Sequence, residues 1–299
     1  MKQNRSASSF QQSNDSKWLG NPCNSTFVRQ YMKALKRQKA REGESPQSVM
    51  AITEEKIKQL YEKNSEATLQ ALFNRARARE DRSWGGPRQR LMMSLAYAIS
   101  FLCLLRLDEV LNIQVENFTI HNLQTGKLEI VLDFRKTQQA GEVQPFYLYY
   151  NPEKPWLDVP RLLLEWLRAS QIEEGYVFIP FYHSDQPKSM PGTQKKLSHA
   201  VFLQDFRYNL QEVGAKYEMY GGHSFRRGGA QWFIGVRRWN VIKLCRYGGW
   251  SKEFDPVTII RYLVAIFDEW FMKPEDYMNP DYQQEGEMCP ACLRRCDCT

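Results

Sequence analysis

His223-Ser-Phe-Arg226, followed by Gly248-Gly-Trp250 and by Tyr262 within Ile259-Ile-Arg-Tyr-Leu263, decides how this chain is read. A histidine and an arginine three residues apart stand about one helical turn from each other, so both can face the same side of a helix. Two further cations lie upstream, Arg106 in Leu105-Arg-Leu-Asp-Glu109 and Lys136 in Phe134-Arg-Lys-Thr137. The order along the chain is Arg, Lys, His-x-x-Arg, Trp, Tyr. Each residue alone has an ordinary explanation. Arg106 can pair with Asp108 or Glu109, Lys136 is one lysine among many, His223 can be a satisfied core histidine, and Trp250 can be packing. Tyr262 is one of 15 tyrosines, and Ile259, Ile260, Leu263 and Ile266 give its segment a core face. Only the set, in this order, calls for a shared chemistry.

That chemistry suits a phosphodiester, whose phosphorus is shielded by negative charge. Breaking it without a metal takes a nucleophile, cations around the non-bridging oxygens, and an acid for the leaving oxygen. Arg106 and Arg226 suit the second task, because guanidinium stays charged and its planar donors match phosphate oxygens. Losing one such preorganised donor costs roughly 3–4 kcal/mol of transition-state stabilisation. His223 shares the Arg226 face, and Ser224 is placed to cap that helix and aim its N-terminal N–H groups at the anion. Lys136, in a predicted hairpin turn, can reach a departing 5′ oxygen as general acid. Tyr262 is the candidate nucleophile, in a helix predicted from Asp255 as cap and Pro256 at the first position. Trp250 is expected to position the phosphate through its indole N–H or by packing, and Glu109 to orient a neighbouring side chain.

The six residues in this order resemble the tyrosine recombinase and integrase family, enzymes that cut and rejoin DNA through a covalent phosphotyrosine. The segments Arg106-Leu-Asp-Glu-Val-Leu-Asn-Ile113, Arg135-Lys-Thr137 and His223-Ser-Phe-Arg-Arg-Gly-Gly-Ala230 look most like the crypton-type recombinases of eukaryotic mobile elements. The resemblance implies a catalytic domain over 84–285 and site-specific recombination or integration without cofactor. It also implies double-stranded DNA as partner, a homo-tetramer on paired sites, and a nuclear location. The chain departs from the family in three respects. Tyr262 follows Trp250 by 12 residues, the helical region before the catalytic part is short, and Trp250 stands where many members carry a second histidine.

The composition fits this picture. Lys and Arg number 41 against 34 Asp and Glu, for a net charge of +7. The excess is all in residues 1–90, which hold 18 basic and 9 acidic residues. Such asymmetry suits a polyanion or an anionic membrane surface. No stretch approaches the ~20 apolar residues that span a bilayer, and the polar start lacks the apolar core of a secretory signal. No membrane association is expected. Cys23, Cys103 and Cys245 are scattered, as in a reducing compartment.

The predicted fold class is mainly α with a small β-sheet (α+β): a recombinase catalytic fold preceded by a short helical, core-binding-like region. Residues 1–24, rich in Ser, Asn and Gln, are expected to be disordered. Residues 25–83 read as a basic DNA-binding region. In it a helix over 27–41, capped by Thr26, carries Arg29, Lys33, Lys36 and Arg37 opposite Phe27, Tyr31 and Leu35. A second helix is predicted from Thr53 to about residue 64, and Arg75, Arg77 and Arg79 follow. After the Trp84-Gly-Gly-Pro87 linker, a core helix is predicted over 88–105 and a short one from Asp108. Strands are predicted over 128–134 and 145–150, and helices over 161–169 and 196–213 and from Ser224, Asn240 and Val257.

The tail at 286–299 carries Cys289, Cys292, Cys296 and Cys298. Zinc accepts such thiolates, but structural sites draw their pairs from more widely spaced segments. No metal is therefore expected, and a reduced tail is. Three rivals to the recombinase reading stand beside it. One is a DNA-binding protein that keeps the fold without the reaction, as a transcriptional or chromosomal factor. The second is a zinc-dependent interaction module resting on the tail. The third is a type IB topoisomerase, whose Ser-Lys-x-x-Tyr pattern is absent around Tyr262.

Overall fold

The computed structural model describes residues 11–12, 18–19, 25–41, 49–73, 84–122, 124–133, 144–182, 184–188 and 195–250. The chain divides into two compact units, Met1–Ser48 and Val49–Thr299. In the first, β1 (Gln11–Gln12) and β2 (Trp18–Leu19) pair antiparallel, Gln11 opposite Leu19. The rest of the segment 1–24, expected to be disordered, lies outside the described residues. Helix α1 (Thr26–Arg41) carries Arg29, Lys33, Lys36 and Arg37. Its first turn is closed by Ser25, whose Oγ accepts from Val28 N–H at 3.2 Å, rather than by the predicted Thr26. Phe27, Tyr31 and Met32 are exposed on it.

The second unit is mainly helical with a three-stranded antiparallel sheet. Helix α2 (Glu54–Phe73) begins where predicted, with Thr53 Oγ1 accepting from Lys56 N–H at 3.1 Å. It runs past residue 64 because Glu66, Ala67, Leu69, Gln70, Ala71 and Leu72 are all good helix formers. Helix α3 (Pro87–Leu102) is the central element. Every residue from Met92 to Phe101 is buried, the mark of a helix covered on all sides, and it packs against α2 and against two later helices.

The N-terminal end of α3 is closed from a distance. Its N-cap, Gly86, has no side chain, so Asp185 takes its place and accepts from Arg88 and Gln89 N–H at 3.0 and 3.1 Å. The other end stops at Leu102, short of the predicted 105. Leu104 turns into the left-handed region at φ 52°, and α4 (Leu107–Leu111) follows at once. Its N-cap is Arg106, not the predicted Asp108, because Glu109 reaches back to the Arg106 N–H.

The sheet has order β3–β4–β5, with β3 (Phe118–Asn122), β4 (Lys127–Ile130) and β5 (Phe146–Leu148). The predicted strand pair is β4 with β5, Ile130 opposite Phe146. Strand β3 was missed: four of its five residues are exposed, so it has no apolar alternation to read. Helix α5 (Val159–Ser170) starts two residues early, capped by Asp158, which accepts from Arg161 N–H at 3.2 Å. Helix α6 (His199–Glu212) is capped by Ser198. Helices α7 (Ser224–Gly235) and α8 (Val241–Gly248) follow as the last helices among the described residues, Asn240 capping α8 as predicted.

Tyr97 on α3 ties the core together. Its ring stacks on Phe225 of α7 at 5.0 Å and meets Phe202 and Phe206 of α6 edge-on or tilted. Beneath it a polar network spans three helices. Asn64 Nδ2 donates to Ser94 and Asn209, and Arg90 donates to both oxygens of Glu212 at 2.8 and 2.6 Å. Helices α3, α6 and α7 are thereby held in one frame, and the candidate site sits at its end.

Candidate functional site

Helix α7 approaches its neighbours closely because of Gly228 and Gly229. A Cβ on Gly228 would run into the Ile52 carbonyl, and one on Gly229 into the carbonyl of Phe101 in α3. Two glycines within a helix cost roughly 1 kcal/mol each against alanine, and close backbone contact is what they allow in return. The extended segment before α2 is bonded alongside. Met50 N–H donates to the Met219 carbonyl at 2.7 Å, Ile52 N–H to the Ser224 carbonyl at 3.0 Å, and Arg227 Nη1 to the Val49 carbonyl at 2.8 Å. Glu54 adds a second tie, accepting from Trp232 Nε1 of α7 at 2.6 Å and from Lys154 Nζ at 2.6 Å.

This docking places Arg226 in the interior, with 0% exposure. Its Nη1 donates to the Leu104 carbonyl, and its Nη2 to the Gly248 carbonyl at 3.0 Å. One guanidinium thus joins the left-handed turn before Arg106 to the C-terminal end of α8. Trp250 completes the cluster. Its backbone N–H donates to the Cys245 carbonyl at 3.0 Å, and its ring centroid lies 4.3 Å from the Arg226 guanidinium. Gly248 makes room for that ring, since a Cβ there would strike it.

Arg106 is more accessible, with 23% of its side chain exposed. Its Nη1 donates to Glu109 Oε1 at 3.0 Å while Glu109 Oε2 accepts from its backbone N–H at 2.9 Å. Glu109, only 7% exposed, therefore fixes both the cap and the guanidinium. The ordinary pairing weighed for Arg106 is present, and it leaves the arginine oriented at the surface.

His223 is the N-cap of α7, one position before the predicted Ser224. Ser224 is instead the first helical residue and turns back, its Oγ accepting from Gly221 N–H at 2.9 Å. His223 is exposed, yet its environment disfavours a proton. Loss of solvent around the ring, then the positive charges of Arg226, Arg106, His199 and Arg227, push its pKa below the ordinary value. Neutral imidazole is the form favoured near pH 7. The same interactions put Arg106, His223 and Arg226 in one electrostatic neighbourhood. Between Ser224 and Trp250 there is no acidic residue, while Arg237, Arg238, Lys243 and Arg246 are exposed.

Arg106, Glu109, His223, Arg226 and Trp250 are thus brought together from the α3–α4 turn, the start of α7 and the end of α8. Lys136, Tyr262, Arg75, Arg77, Arg79, the helix predicted from Val257, and Cys289, Cys292, Cys296 and Cys298 lie outside the described residues. Three residues of this neighbourhood escaped the sequence reading: Arg227, Gly228 and His199. The adjacent glycines after Arg226-Arg227 were the available signal, because glycines inside a helix mark close approach. His199 gave none. Among the described residues no helix is long and apolar enough to cross a membrane, and no group of three or more His, Cys, Asp or Glu could hold a metal ion.

No family model matches the chain, and no curated protein matches it. Among solved structures it is similar to the XerH site-specific recombinase. The post-cleavage complex of XerH with palindromic difH substrate aligns at 15% identity and a TM-score of 0.48, over 74% of this chain and 49% of that one. The pre-cleavage complex with difH aligns at 14% identity and a TM-score of 0.49, over 85% and 56%. The chain spans about half the length of these XerH chains.

Proposed function

We propose that this protein is a DNA strand-transferase of the tyrosine recombinase type. Tyr262 attacks a phosphodiester, forming a bond from its phenolic oxygen to phosphorus while the bond to the 5′ oxygen breaks. The products are a 3′-phosphotyrosyl intermediate and a free 5′ hydroxyl, and the reverse attack by a 5′ hydroxyl rejoins the strand. Arg106 and His223 contact the phosphate, Arg226 and Trp250 hold the cationic cluster in place, and Lys136 protonates the leaving oxygen. The exposed Arg237, Arg238, Lys243 and Arg246 suit a polyphosphate backbone.

The observation that carries the proposal is convergence. Arg106 and His223 are 117 positions apart in sequence, yet the charge of the first bears on the proton of the second. A chain that used these residues separately for packing has no need to gather three cations around one histidine, since like charges repel. A site for an anion does. The crypton-type affiliation, the nuclear location and assembly as a tetramer on paired sites belong to the same proposal.

A second reading has its own observation. Arg226 is fully buried and spends its two terminal nitrogens on carbonyl oxygens, which suits a protein that keeps the fold for DNA binding alone. One experiment separates the two. Purified protein is mixed with nicked and intact duplex fragments in EDTA, denatured, and assayed for protein-linked DNA, with filter binding in parallel. Linked DNA supports the strand-transferase; binding without linkage supports the binder.

A further inference from the structure

Gly222, immediately before His223, has two close neighbours. A Cβ built on it would lie 3.2 Å from His199 Nε2 and 3.3 Å from Leu107 Cδ2. His199 opens α6, and Leu107 directly follows Arg106. The imidazole of His199 is therefore packed against the backbone that carries His223, on the side from which Arg106 enters. The tie is reinforced one step away, where Lys196 Nζ donates to Asn112 Oδ1 at 2.8 Å and joins the lead-in of α6 to the end of α4. His199 is exposed, as is His223. It is also among the positive groups that hold the His223 proton off.

We propose that His199 is a further phosphate-contacting residue of this site, sharing one DNA phosphate with His223. The inference rests on the proposed DNA chemistry and extends its set of residues. Three observations support it together. The residue is exposed, so its ring is open to a ligand. It lies at the meeting point of the two segments that supply Arg106 and His223. And it belongs to the group, with Arg226, Arg106 and Arg227, whose positive charge pushes the His223 pKa down, a crowding relieved when an anion sits among them.

The variants His199→Ala, His199→Gln and His199→Lys test this, with affinity for a fluorescein-labelled mixed-sequence duplex read by anisotropy. The His223 ring is followed by NMR titration in wild type and His199→Ala. His199 is exposed at the first turn of its helix, so folding is expected to survive. His199→Ala is expected to weaken binding roughly tenfold, the size of a lost charge-assisted hydrogen bond. His199→Lys restores most of it, His199→Gln less, and the His223 midpoint rises once the neighbouring charge is gone. Unchanged affinity in His199→Ala overturns the inference. Equal loss in all three variants, with the His223 midpoint unmoved, also overturns it and leaves His199 a packing residue. Failure of wild type itself to bind duplex sinks the proposed function, and the His199 role with it.

Discussion

The guanidinium of Arg226 lies 4.3 Å from the ring centroid of Trp250, and the pair closes the site on its buried side. Arg226 comes from the first turn of α7 and Trp250 from just beyond α8, and the same guanidinium reaches the Leu104 carbonyl ahead of Arg106. A buried cation is expensive unless donors and charge are matched, and here two carbonyls and a π face supply part of that match. The arginine therefore holds three segments together as well as carrying charge.

Arg226→Lys keeps the charge and loses the fork. A lysine cannot serve the Leu104 and Gly248 carbonyls together in the same geometry. At least one buried carbonyl is left without its donor, at about 1–3 kcal/mol. Urea unfolding is expected to show a lower midpoint with an unchanged slope. A midpoint equal to wild type contradicts the bracing role.

Gly229→Ala is expected to destabilise the protein, although alanine is the better helix former. The new methyl meets the Phe101 carbonyl and the side chain of Leu104, and backbone in a packed core gives way only at about 1–3 kcal/mol. Against this, helix propensity returns about 1 kcal/mol. Thermal unfolding decides the sign; a stabilised variant shows that α7 is not held as closely as described.

His223 is expected to titrate below the ordinary histidine value of roughly 6.5, because its folded environment disfavours the proton. The sign follows. Above that value the ring is neutral in both states and contributes nothing; as pH falls below it, the unfolded chain takes the proton first and the native state is penalised. His223→Gln is expected to flatten the fall in stability on that acid side. An NMR midpoint at or above the ordinary value contradicts the crowded cationic environment.

Glu212 acts in the same sense as His223, since its pKa too is lowered in the folded state. Burial alone would raise its pKa, but hydrogen bonds and charge from Arg90, with smaller help from Trp84 and Asn209, hold it below the usual carboxylate value. Its contribution is therefore complete above the unfolded value of roughly 4.3 and is lost as pH falls through the lower folded value. Glu212→Gln leaves the buried Arg90, 3% exposed, without its counter-charge, at about 3 kcal/mol. Chemical unfolding at neutral pH measures this; no loss contradicts the central place of the Arg90 network.

Much of the fold was legible because it is written in helix periodicity. The apolar run of α3, the Asn240 cap and the Thr53 cap are local signals, and they appear in the structure. What escaped was set by distant partners. Asp185 closes α3 from 98 residues away from its first residue, and no local pattern records that. Strand β3 shows too little burial to alternate. In the site, Arg106, Glu109, His223, Arg226 and Trp250 were legible as residue types in an order. The inward turn of Arg226 was not, because it depends on where the Leu104 and Gly248 carbonyls arrive. His199 became visible only through its distance from Gly222.

The most direct measurement is the identity of the protein atom joined to DNA. Wild type and Tyr262→Phe are incubated with nicked duplex in EDTA, digested to peptides, and the DNA-linked peptide is sequenced by mass spectrometry. The account predicts a phosphotyrosyl peptide containing Tyr262 from wild type, none from Tyr262→Phe, and equal DNA binding by both. Linkage through another residue, or binding by wild type with no linked peptide on any nicked substrate, contradicts it.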